Sequence, residues 1–358
     1  MSCFIVPPYL LEHLARLDDP RFERAAIAAR ASRELDDQHR GARTVAGSST
    51  LTAAGPSQRS TAVPAPGRRL EGPHRTIYDA RNTERLPGER VRGEGDPAGS
   101  DSSVTEAYDG LGSTHELYRD VYGRASIDDH NLPLLATVHY GRDYDNAFWN
   151  GDRMVFGDGD GTVFRGFTSS LSVIGHELAH GVTQYTARLD YEGQSGALNE
   201  SVSDVFGALV EQFARKQDAA EASWLIGAGL FTAQVQGVAL RSMKAPGTAY
   251  DDDVLGKDPQ PANMAGYVNT QDDNGGVHLN SGIPNHAFYL VAAALGGNAW
   301  ERAGRIWYDT LVGGSLPSRC DFARFAAETT DAAAQRYGRD SAEQAAVAEA
   351  WRAVGVTR

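Results

Sequence analysis

The chain has 358 residues, with 34 Lys or Arg against 47 Asp or Glu and a formal net charge of −13. Hydrophobic residues make up 41%, enough for a sizeable core in a chain longer than one typical domain. The acidic balance argues against nucleic acid and anionic membranes as partners, and two cysteines, Cys3 and Cys320, imply no disulfide framework. No apolar stretch approaches the length of a membrane span. The start of the chain has no basic segment, and Pro7, Pro8 and Glu12 break its short apolar run, so a leaderless cytoplasmic product is expected, with later release open.

Residues 1–40 begin with an apolar strip stiffened by prolines, Cys3-Phe4-Ile5-Val6-Pro7-Pro8-Tyr9-Leu10-Leu11. Asp19-Pro20 then reads as an N-cap with proline at the first helical position. The alanine-rich helix behind it carries Phe22, Ile27 and Leu35 and fades at Gln38-His39-Arg40. So little apolar surface does not fold alone, so this head must lean on a larger body. Cys3 is read as a small buried or merely accessible thiol in preference to a cap on a metal ion. Residues 41–74 turn to Gly, Ser, Thr, Ala and Pro with scattered arginines and no aromatic ring, the composition of an exposed, cleavable linker.

Between 75 and 171, Thr76–Asp79, Leu134–Tyr140, Met154–Phe156 and Thr162–Phe164 read as strands. Val104–Tyr122 reads as a helix interrupted near Gly110 and Gly112. Gly157-Asp158-Gly159-Asp160-Gly161 is expected to be a hairpin turn, since it lacks the later ligands of a calcium loop. Asp145-Asn146-Ala147-Phe148-Trp149 falls on a sheet edge, where an extended peptide can add as a further strand.

The chemistry is concentrated in Ser172–Gly207. Within His176-Glu177-Leu178-Ala179-His180 the two histidines lie four apart, on one helical face, and can aim one imidazole each at a single ion. Glu177, offset by about a hundred degrees, can reach a water without ligating the metal. Catalytic zinc takes three protein ligands, and Glu200 at the start of the next helix supplies the third. Asp204, four residues on, and Asn199 can accept the free N–H groups of the ligating rings. The bland alternative is a surface helix bearing these residues by chance. The apolar setting of Leu171, Val173, Ile174, Leu178 and Val182 argues against it, because a buried charged cluster is hard to tolerate without an ion. A dependent head, a cleavable linker and such a body together suggest a zymogen, with a simple docking arm as the other reading.

From Leu198 onward the pattern is mostly helical, over Leu198–Arg215, Pro284–Ala294, Ala299–Leu311, Arg319–Arg336 and Ser341–Val354. The exception is a long irregular section from Met243 to Gly282, of the kind that carries function inside a compact enzyme. It ends in Asp273-Asn274-Gly275-Gly276-Val277-His278-Leu279-Asn280-Ser281-Gly282, where a glycine-rich turn can present His278 to a cleft.

The segment His176–His180, Asn199-Glu200 with Asp204, and Asp273–Gly282 resemble the thermolysin family of neutral zinc endopeptidases. The resemblance runs from about Ile77 to the C-terminus and takes in Asp145–Gly151 and Leu240-Arg241-Ser242-Met243. The short head with Pro7-Pro8-Tyr9-Leu10-Leu11 is similar to the propeptide of the protealysin-like subgroup. This resemblance implies zinc on His176, His180 and Glu200, Glu177 as general base and acid, Tyr191 and His278 on the oxyanion, and Asp273 orienting His278. It also implies that Asn146 and the Ala147 carbonyl hold the peptide backbone and that Arg241 binds the primed-side carbonyl. Val173, Ile226, Leu230 and Leu240 would line an apolar pocket, giving a preference for a hydrophobic residue after the scissile bond. Where secreted members carry a paired-calcium cluster, this chain has Ser172, Ser223, Leu225 and Ala228, with Glu211 the one carboxylate left, so that double site is expected to be lost.

The fold expected is α+β and two-lobed: a head (1–40), a linker (41–74), a β-rich lobe (75–171) and a helical lobe (172–358) that starts at the metal helix. Partners expected are protein or peptide substrates and the chain's own propeptide, around a monomer. Two rivals are an amide hydrolase such as an aminopeptidase, which needs a carboxylate for a substrate amino group, and a latent zinc-binding protein on a protease scaffold, which needs a missing ligand or base.

Overall fold

The structure is a computed structural model that describes residues 3–47 and 70–358. Of the expected linker, residues 48–69 lie outside the described residues. The head is β1 (Cys3–Phe4), α1 (Pro8–Ala15) and α2 (Glu23–Gly47). The strip was not expected to hold a helix, yet Pro8 stands at the first helical positions, where its missing N–H is no loss, and Leu10, Leu11 and Leu14 bury one face. The Asp19 cap forms as expected, accepting from the Arg21 N–H at 2.9 Å ahead of a 3-10 turn over Pro20–Phe22. Helix α2 then runs on to Gly47, past the expected fading at 38–40, because Ala and Arg are good helix formers.

The β-rich lobe has β2 (Arg75–Thr83), β3 (Glu89–Gly93), β4 (Leu134–Tyr140), β5 (Ala147–Trp149) and β6 (Met154–Phe156), with α3 (Ser102–Glu116) packed on it. The sheet order is β1-β5-β6-β4-β2-β3, so the head supplies an edge strand, with Cys3 opposite Trp149 and Phe4 opposite Phe148. Side chains alternate across the sheet. Ala147, Trp149, Met154 and Phe156 enter the main core, whereas Phe148 and Val155 join Phe4, Tyr140 and Tyr144 on the other face, against Leu35 of α2.

Three expectations fail here. Gly110 and Gly112 do not interrupt α3, which continues into a π turn over Leu117–Val121. A Cβ on Gly110 would lie 2.3 Å from Ile174 Cδ1, so this glycine permits close packing on the metal helix. Thr162–Phe164 is not a strand apart from a bridge between Phe164 and Phe231, and Gly157–Gly161 is not a hairpin turn. The reason is local: Asp160 Oδ1 accepts from the Thr162 and Val163 N–H groups, and Asp145 Oδ1 accepts from the Asp160 N–H. These side-chain bonds replace a ladder.

The helical lobe starts with α4 (Leu171–Tyr185) and α5 (Gly193–Arg215). A short ribbon follows, of β7 (Leu225–Ile226) and β8 (Arg241–Ser242). The section expected to be irregular as far as Gly282 already holds α6 (Asp273–Asn280), and α7 (Gly282–Leu295), α8 (Ala303–Val312), α9 (Phe322–Tyr337) and α10 (Ala342–Ala353) follow. The fold is the expected α+β arrangement of a β-rich and a helical lobe. Helix α4 packs on α3 and β5 of the first lobe and on α5 of the second.

Candidate active site

The site is built on the α4–α5 crossing. Every residue of α4 from Ser172 to Thr183 is buried. A Cβ on Gly175 would come 3.0 Å from Gly207 Cα, and one on Gly207 would come 2.4 Å from the Ser172 carbonyl oxygen. The two helices therefore meet backbone to backbone, which carries Glu200 on α5 up to His176 and His180 on α4.

His176 Nε2 and His180 Nε2 lie 3.0 Å apart, and Glu200 lies 3.6 Å from the first and 3.4 Å from the second. The other ring nitrogens are engaged as the sequence suggested: His176 Nδ1 with Asp204 Oδ1 and His180 Nδ1 with Asn199 Oδ1, each at 2.8 Å. With both Nδ1–H groups donating, the two Nε2 atoms face one another as lone pairs, an arrangement that calls for a cation between them. Glu200 Oε2 and Glu177 Oε1 are buried without a hydrogen-bond partner. Two imidazoles and a carboxylate suit zinc, so the residues present fit the metal.

Burial, reinforced by His176, holds the His180 imidazole down to about 3. Burial and the neighbouring Glu200 charge hold the Glu177 carboxyl well above its ordinary range. Glu177 Oε2 accepts from the Trp149 N–H at 2.8 Å. Burial works the same way on Glu200, but His278, His180 and His176 outweigh it and keep that carboxyl below its ordinary value.

The turn ahead of His278 is left-handed at Asp273, Asn274, Gly275 and Gly276, a run that small and Asx residues tolerate. It lets Asp273 fold back onto His278, accepting from its N–H at 2.8 Å and pairing with Nδ1 at 2.6 Å. Burial opposes a charge on His278, but Asp273 and Glu200 outweigh it and raise the imidazole to about 9. Tyr191 donates its hydroxyl to Glu200 and lies 3.3 Å from His278 Nε2. Arg241 forms a two-pronged pair with Asp204 (2.9 and 2.8 Å), which also accepts from Asn285.

The predicted substrate groups hold the head. Ala147 O accepts from the Ile5 N–H at 3.1 Å, and Arg241 Nη1 donates to Ile5 O at 2.9 Å. Asn146 accepts from the Val6 N–H at 2.9 Å and donates to Val6 O at 3.4 Å. Val173, Ile226, Leu230 and Leu240 are fully buried in the cluster that contains Ile5 and Val6. Cys3 is a buried thiol, as read from the sequence, and its sulfur shares a donor set with His180 and Glu200 within 4.8 Å, because β1 pairing delivers Cys3 to helix α4. A cavity of ≈ 430 Å³ continues past Cys3, lined by Trp149, His180, Gln184, Tyr185, Arg188 and Leu189.

Sequence reasoning missed the groups that clamp the head. Asp36 takes the Tyr144 hydroxyl at 2.5 Å and the Asn146 amide at 2.9 Å, Ser32 takes the Asp145 N–H, and Arg24 pairs with Asp143. Nothing marked these polar residues on a solvent-like helix until their partners were known.

The profile of the thermolysin metallopeptidase catalytic domain matches residues 41–184, and that of the family's α-helical domain matches 187–356. An extracellular metalloprotease of Pectobacterium carotovorum subsp. carotovorum is 55% identical over 283 residues, 79% of this chain and 81% of that one. Protease PrtS of Photorhabdus is 52% identical over 285 residues, 79% of this chain and 76% of its own. In three dimensions the chain is similar to the precursor of protealysin, a metalloproteinase from Serratia proteamaculans, at a TM-score of 0.84 and 48% identity, with 100% of both chains covered. The chain therefore belongs to the thermolysin metallopeptidase family and is a zinc metalloendopeptidase made with a propeptide.

Proposed function

We propose that His176, His180 and Glu200 hold the zinc, that Glu177 is the general base and acid, and that residues 3–47 keep the enzyme latent by filling its cleft. The observation that carries this reading is the pair of facing Nε2 atoms, 3.0 Å apart, beside a buried carboxylate. When bound, zinc polarises a carbonyl and acidifies water. Glu177, with one oxygen fixed by the Trp149 N–H and the other unpartnered, takes the proton from the attacking water and delivers it to the departing nitrogen. A carboxyl held above its ordinary range suits that exchange. His278 and Tyr191 donate to the oxyanion, a role worth roughly 3–4 kcal/mol per donor in comparable sites. Asp204 and Asn199 set the tautomers of the ligating rings, and Asp273 orients His278.

The buried apolar residues Val173, Ile226, Leu230 and Leu240 support a preference for a hydrophobic residue after the scissile bond. No carboxylate for a substrate amino group is part of the assigned set, which favours endopeptidase over aminopeptidase action. At the positions of the family's paired calcium, Glu211 pairs with Arg215 at 2.7 Å and Ser172 Oγ takes the Gly227 N–H; these local partners support loss of the double site. The domain division proposed is a head, a linker (41–74) whose first residues, to Gly47, continue α2, a β-rich lobe to 171 and a helical lobe beyond. Release from the cell is supported by the relative named as extracellular. The test is to cut the linker, separate the head and assay peptides that differ in the residue after the bond. The body should cleave those with Leu, Ile or Phe there, and an inert body retaining zinc sinks the reading.

A further inference from the structure

The head enters the cleft in the direction of a substrate, in a definite register. Phe4 O lies 3.0 Å from His278 Nε2, the donor assigned to the oxyanion. The next atom along the chain, Ile5 N, donates to Ala147 O, and Ile5 O receives Arg241. Thus the Phe4–Ile5 peptide unit is gripped at its carbonyl and its N–H by groups that the proposed mechanism assigns to the scissile bond. Ile5, fully buried and aliphatic, stands where a hydrophobic residue is expected. The preceding residue is Cys3, whose sulfur joins the donor atoms of His180 and Glu200 within 4.8 Å. His176 Nε2 lies 3.0 Å from His180 Nε2, so an ion held by His176, His180 and Glu200 would take the Cys3 sulfur as its fourth donor. A catalytic zinc site keeps its fourth position open, whereas a closed four-ligand set is inert.

We propose that Phe4–Ile5 is a scissile bond held ready in the intact chain, and that Cys3 protects it by completing the metal's ligand set. This rests on the metal and substrate roles proposed above. When Cys3 is absent from the set, water adds to the Phe4 carbonyl carbon, the Phe4–Ile5 C–N bond breaks, and Glu177 passes the water's proton to the Ile5 nitrogen. The product is a tetrapeptide and a chain that begins at Ile5. That chain still carries α1, α2 and the linker, so the cut differs in mass from any cut in 48–69.

The experiment follows the intact mass of the full chain in wild type, Cys3→Ser and Cys3→Ser/Glu177→Ala. Cys3→Ser should lose residues 1–4 completely, at a rate unchanged by dilution, while wild type and the double variant keep the bond. A Cys3→Ser chain that keeps Phe4–Ile5 whole, although its separated body cleaves added peptides, overturns this proposal and leaves the function standing. Trimming of the double variant at the same bond points to a foreign protease and also overturns it. A body inert to every peptide takes down the functional reading and this one together. A second readout does not depend on turnover or on the variant folding. Wild type loaded with cobalt in place of zinc should show thiolate-to-cobalt charge-transfer absorption, and its absence removes Cys3 from the ligand set.

Discussion

Two histidine sites within this chain use the same side chain in opposite ways. At the α4–α5 crossing, His176 and His180 spend their Nδ1–H groups on Asp204 and Asn199 and turn bare nitrogens toward each other, and burial keeps His180 down to about 3. In the β-rich lobe, His139 has a carboxylate on each side, Asp158 at 2.8 Å from Nδ1 and Asp101 at 2.9 Å from Nε2. The Asp158 and Asp101 hydrogen bonds overcome partial burial and raise this imidazole to about 9. One site is arranged to receive a cation, and the other contains its own. The second ring nitrogen decides the difference: a ring with one donor bond and one free lone pair is a ligand, and a ring with two carboxylates is a charge.

That contrast can be broken at several points. Glu200→Ala should have the largest effect, because two imidazoles alone do not complete a catalytic site; zinc measured after dialysis should be lost, and peptide cleavage with it. Glu177→Ala should keep zinc at one ion per chain while turnover by the separated body falls by about 10²–10⁴ or more, the range for a lost general acid–base. A simultaneous loss of zinc would falsify its assignment outside the ligand set. Asp204→Asn should weaken zinc about 10–100-fold, the usual cost of removing a ligand's supporting carboxylate, read by competition with a chelator.

The smallest effect sharpens the other side of the comparison. His139 binds its proton more tightly folded than unfolded, so its contribution to stability is fully present below about pH 6.5 and is lost as pH rises through about 9. His139→Gln, placed in the Glu177→Ala background to prevent self-digestion, should destabilise the chain by about 1–3 kcal/mol at pH 6 and by little above pH 10. Urea unfolding at the two pH values measures this, and an equal loss at both assigns the effect to packing.

The juxtaposition of His176, His180 and Glu200 was legible because its information is local. His176 and His180 share a helical face by their spacing, and Glu200 and Asp204 repeat that spacing on the next helix. Strands β2, β4 and β6 and the last helices were legible for the same reason, through alternation or helical period. The glycines misled: Gly110 and Gly112 read as breaks, and packing against Ile174 and Arg75 gave them another meaning. The Asp-rich loop at 157–161 misled as well, since its carboxylates replaced a ladder that sequence rules expect from backbone.

Residue types and their spacing by themselves determined a cluster suited to metal-assisted hydrolysis and the presence of a dependent head, and the resemblance to the thermolysin family added the protease activity and the two-lobed class. The tertiary structure alone decided where that head lies. Cys3 and His180 are 177 positions apart, and no local period relates them. They meet because β5 offers unpaired backbone groups that β1 satisfies, and because Asp36, Ser32 and Arg24 anchor α2 on the segment 143–146. A hydrogen-bonded edge has a register, and the register sets Phe4–Ile5 over the site.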